Sequence, residues 1–166
     1  MAMTAEAMAN AIISRINKST DASDANNKFY AALCEYVEDN AVVTYAWSAV
    51  DTEATPDPMV EIITNLKTAG SLSPSGASDC SSALAKFSSD LNDNAKTWEV
   101  VWPTGFALPP ANVIPTISIT ASKADNQQDA MVSVCKEIIA GIKKATDTVP
   151  GSHATYSGAA TFVSIE

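Results

Sequence analysis

Apolar residues recur every third or fourth position near the start of the chain, shift to every second position just beyond, and alternate between the two periods to the end. Thr4 is followed by Ala5, Met8, Ile12 and Ile16, which places one apolar face on a threonine-capped helix with Glu6, Asn10 and Arg15 opposite. A sharper stripe of Ala22, Ala25, Phe29, Ala32, Leu33, Tyr36 and Val37 begins after Ser19-Thr20-Asp21 and ends at Asp39-Asn40. Alanines on both stripes allow close approach, so residues 4–39 are predicted to form a helix pair packed on itself or on a sheet.

From Ala41 the period becomes two, with Val43, Tyr45 and Trp47 on one side of a strand and Val42, Thr44 and Ala46 on the other. Pro56 and Pro58 make Asp51 to Pro58 an exposed loop, because proline cannot donate to a strand ladder. Met59 to Ala69 suits either period; Met59, Ile62, Ile63 and Leu66 favour a helix, while Val60 to Thr64 would also make a strand. Gly70 to Ser82 reads as a loop, followed by a helix through Ala83, Leu84, Phe87 and Leu91 that breaks at Asn92-Asp93-Asn94. Trp98, Val100 and Trp102 line one face of a second strand, which Pro103 stops. Pro103, Pro109, Pro110 and Pro115 hold residues 103–115 extended as an irregular arm or edge. Ile117 and Ile119 predict a third strand over Thr116 to Thr120. The longest helix is entered through Ser122 and Asp125, carries Met131, Val134, Cys135, Ile138 and Ile142 on one side, and ends at Val149-Pro150-Gly151. Tyr156 to Ile165 supplies a last strand. Without repeats or an internal boundary, residues 1–166 read as a single α+β domain, an antiparallel or mixed sheet packed with about four helices.

Charge narrows the function classes. Ten basic against nineteen acidic residues give a net charge of −9, with Arg15 the lone arginine, which argues against nucleic acid or an anionic membrane as partner. No apolar run is long enough to span a bilayer, and Glu6, Asn10 and Arg15 interrupt any signal-peptide pattern. Cys34, Cys80 and Cys135 are widely spaced and unpaired in pattern, so neither a disulfide framework nor a zinc site is expected; Cys34 and Cys135 read as buried, and Cys80 as exposed in a serine-rich loop.

Candidate chemistry is sparse. His153 is the only imidazole, and a Ser-His-Asp site would need Ser152 or another serine plus an acid such as Asp147 brought around it. Its Pro150-Gly151-Ser152-His153 setting suggests a solvated turn instead. Asp51, Glu53 and Asp57 do not follow calcium-loop spacing, and Asp90 and Asp93 fit a helix terminus. Phosphate-cradling glycine motifs are absent from the sequence. Trp47, Trp98, Trp102, Tyr30, Tyr36 and Tyr45 are expected in the core. No catalytic, metal or cofactor-binding residues are assigned, and no cofactor is expected.

The short Ala/Ile helix, the run Phe29-Tyr30-Ala31-Ala32-Leu33-Cys34-Glu35-Tyr36-Val37 leading into Val42-Val43-Thr44-Tyr45-Ala46-Trp47, and the closing Gly151-Ser152-His153-Ala154-Thr155-Tyr156-Ser157-Gly158 resemble small virion proteins of tailed bacteriophages. The resemblance implies a non-enzymatic subunit made in the host cytoplasm and placed in the virion, contacting identical copies and other virion proteins. Pro103, Phe106, Pro109, Pro110, Tyr156 and Phe162, on the arm and tail, are the candidate interface residues. A monomeric small-ligand or protein-binding module and a small hydrolase using His153 are the alternatives.

Overall fold

The computed structural model describes residues 2–49, 60–68, 80–106, 108–120, 124–149, 151–155 and 158–166. Helices α1 (Ala5–Ile16) and α2 (Ala22–Asn40) form the expected pair. Thr4 caps α1 by accepting from the Ala7 amide, and Asp21 caps α2 by accepting from the Asp24 amide at 2.8 Å. Tyr36 ties the pair together: its hydroxyl accepts from the Thr4 amide at 2.9 Å and donates to the Thr4 carbonyl at 3.2 Å.

Strands β1 (Val43–Ala49), β2 (Val60–Lys67), β3 (Glu99–Val101), β6 (His153–Thr155) and β7 (Gly158–Ile165) make a curled antiparallel sheet in the order β3-β2-β1-β7-β6. The helix expected over Met59 to Ala69 is therefore strand β2. Ile62, Thr64 and Leu66 are buried while Glu61, Ile63, Asn65 and Lys67 are exposed, and the β-branched run Ile62-Ile63-Thr64 packs well on a pleated surface. Helix α3 (Cys80–Ala95) begins earlier than expected, with Cys80 as its first residue, and runs through Asn92-Asp93-Asn94, expected to break it, to end at Ala95. Helix α4 (Gln127–Lys143) is capped by Asn126 rather than by Asp125, and its chain continues directly into β5 (Thr146–Asp147). The tail supplies a hairpin, β6 and β7, with β7 inserted beside β1 in the middle of the sheet.

The arm folds onto its own body. Val100 donates to the Ala111 carbonyl at 2.8 Å, the Trp102 indole donates to the Pro109 carbonyl at 2.9 Å, and Glu99 bridges to Asn112. The arm then leads into β4 (Val113–Ile114), which pairs with β5 in a small second sheet.

Thr116 to Thr120 keeps its alternating burial, with Ile117 and Ile119 inside, yet it is not a strand. It runs between α3 and α4, and side chains replace the missing ladder. The Asn92 carboxamide both donates to the Ile117 carbonyl and accepts from its amide, each at 2.7 Å. Ile119 donates to Ser88 Oγ, Thr120 to Glu137, and Thr116 to the Gly141 carbonyl. Gly141 permits this approach, because a Cβ there would lie 2.6 Å from the Ile117 Cα. The core between the helices and the inner face of the sheet contains Met8, Ile12, Leu33, Val43, Tyr45, Leu66, Trp98 and Ile138, and each such side chain contributes about 1.5–3 kcal/mol of burial.

Candidate functional site

His153 does not lie in a solvated turn. It begins β6, and its side chain is 1% exposed. The curl explains this burial: β3 is continued by β4 and β5 through the Glu99–Asn112 bridge, so β5 and β6 form the two ends of one bent wall. Side chains close the gap between them. His153 Nε2 lies 2.9 and 3.1 Å from the two Asp147 carboxylate oxygens, and the Tyr45 hydroxyl, reaching from β1, donates to the same carboxylate. The Val149 amide donates to Asp147 Oδ1 at 2.8 Å, fixing the turn that follows β5.

A carboxylate can only accept, so Asp147 takes the Tyr45 hydroxyl, the Val149 amide and His153 Nε2 as its donors. His153 Nδ1 is buried and has no hydrogen-bond partner among the described residues. Aromatic rings pack around the group. The half-buried Trp102 stands edge-on to both Tyr45 (4.7 Å between ring centroids) and His153 (5.6 Å), and Phe162 stands edge-on to Tyr45 at 5.6 Å. Burial first, and then the hydrogen bond to Asp147, push the Tyr45 phenol well above its usual range.

Of the Ser-His-Asp elements weighed from sequence, the structure brings Asp147 to His153 and leaves Ser152 exposed. The carboxylate holds Nε2, and the remaining ring nitrogen reaches no hydroxyl or thiol among the described residues. This arrangement ties β5 to β6 and to β1 through one carboxylate. Sequence reasoning missed Tyr45 as the third member, although a tyrosine on the inner face of a strand needs a partner for its hydroxyl.

The candidate interface residues are scattered. Phe106 is half-buried edge-on to Trp47 at 5.4 Å, and Trp47 in turn lies across Gly158, where a Cβ would come within 2.6 Å of the indole. Pro103 and Phe162 are half-buried, Pro109 and Pro110 are exposed, and Tyr156 lies outside the described residues, as do Asp51, Glu53 and Asp57. Asp93 pairs with Lys96 at 3.3 Å near the end of α3. Cys34 and Cys135 are buried thiols whose ionisation burial raises to about 11 and about 12. Among the described residues no group of three His, Cys, Asp or Glu side chains could hold a metal ion, and no helix is long and apolar enough to cross a membrane. Comparison with family models, curated proteins and solved structures gives no match to this chain.

Proposed function

We propose that this chain is a non-enzymatic structural subunit of a phage virion, a capsid, neck, tail or baseplate component that works by self-association and by contact with other virion proteins. One observation supports this most directly. Ile63, Val101 and Val163, three of the four large hydrophobic residues exposed among the described residues, lie on the outer side of the five-stranded sheet, on β2, β3 and β7. The imidazole and the two described thiols, by contrast, are committed to the interior.

Sedimentation velocity on the purified chain tests self-association. A dimer, ring or larger assembly is expected, whereas a monomer at every concentration would overturn it and favour a binding module that acts alone. Mass spectrometry of purified particles tests the location: many copies per particle are expected, and absence from particles would refute it.

A further inference from the structure

We infer that the outer face of the five-stranded sheet binds the same face of a second copy, across a two-fold axis that lies between the two sheets and runs perpendicular to their strands. This rests on the self-association proposed above and names the surface that performs it.

The outward positions follow from the register. On β2 they are Glu61, Ile63, Asn65 and Lys67, all exposed. Asn65 stands beside Val101 of β3, Ile63 beside Thr44 of β1, and Thr44 beside Ser164 of β7; Glu61 is followed in the same way by Ala46 and Thr161. Val163 occupies the register shift between these rows. Most of the central residues, on β1 and β7, are small, so the middle strands of the curled face let another sheet approach to about 10 Å.

Charge selects the occupant. Glu61 and Lys67 lie at opposite ends of one strand face, about 20 Å apart at about 3.3 Å per residue. A two-fold axis crossing β2 between Ile63 and Asn65 lays the strand antiparallel over its own copy, so that Glu61 meets the partner copy's lysine at position 67, twice. The same operation keeps each strand above its counterpart, which lets Ile63, Val101 and Val163 each approach their own copies near the axis. Glu99, opposite Lys67 on β3, is the other charged residue beside this lysine in the register. With strands about 4.8 Å apart, the face covers about 450 Å² per copy, or about 900 Å² in all. That lies below the about 1,000 Å² of a specific interface, and the curl of the sheet lowers it further, so a weak, concentration-dependent dimer is predicted.

Charge reversal supplies the test. Glu61→Lys gives a copy with lysine at both ends of the face, and Lys67→Glu gives one with glutamate at both ends. Each variant alone is expected to self-associate about tenfold more weakly than the parent, while an equimolar mixture recovers parental affinity through heterodimers. Ile63→Arg should weaken association by about a hundredfold. Circular dichroism and thermal melting check that each variant is folded. A mixture no tighter than its components, or undiminished association of folded Ile63→Arg, would overturn this interface. If Ile63→Arg stays oligomeric, self-association survives on another surface; if the parent chain is always monomeric, both proposals fall.

Discussion

The two sides of the five-stranded sheet solve opposite problems. The inner side gathers the residues that are hardest to bury, Tyr45, Asp147 and His153, and neutralises most of their cost by pointing three donors at one carboxylate. The outer side carries Ala46, Ile63 and Val163, whose apolar side chains need no hydrogen-bond partner, beside Thr44, Glu61, Asn65 and Lys67. A polar network inside therefore fixes the ends of the sheet, while the outer side keeps a few apolar side chains exposed among polar ones. Variants on the two sides should fail in different ways.

The largest effect is expected from Asp147→Ala, which strands the Tyr45 hydroxyl and the His153 ring. Denaturant unfolding should show a loss of about 3–5 kcal/mol, and a loss below about 1 kcal/mol would mean that the network does not hold the ends of the sheet together. Asn92→Ala comes next, because it frees both backbone groups of Ile117, and about 2 kcal/mol should be lost in the same measurement.

A smaller effect appears only in alkali. The Tyr45 phenol keeps its proton in the folded state past the pH, 10.0, at which an ordinary phenol ionises, and Tyr30 does so up to about 12. Above pH 10 the folded chain thus binds more protons than the unfolded one, and stability falls as pH rises. Tyr45→Phe should make that decline shallower; an unchanged slope would show that this phenol does not contribute. The smallest change in folding stability belongs to Ile63→Arg on the outer side, within about 0.5 kcal/mol by thermal melting, even though it should abolish most association.

How much of this was legible in the residues depended on whether local pattern or distant contact decided the outcome. Thr4 and the stripes of α1 and α2 could be read directly, because capping and helical spacing are local. Residues Val60 to Lys67 carried both periods, and pairing with β1 and β3 on either side decided for a strand. Thr116 to Thr120 alternates as a strand does, but its hydrogen bonds go to Asn92, Ser88 and Glu137, which are distant in sequence. His153 looked like a loop residue because a glycine, Gly151 at φ +94°, stands two residues before it; burial comes from Tyr45 and Asp147, contacts that only the curl of the sheet creates.

The carboxamide of Asn92 has a consequence for solubility. An extended segment with unsatisfied amides and carbonyls invites foreign strands to zip onto it and seeds aggregates. By occupying the Ile117 backbone on both its polar groups, Asn92 leaves no such template there for a passing chain.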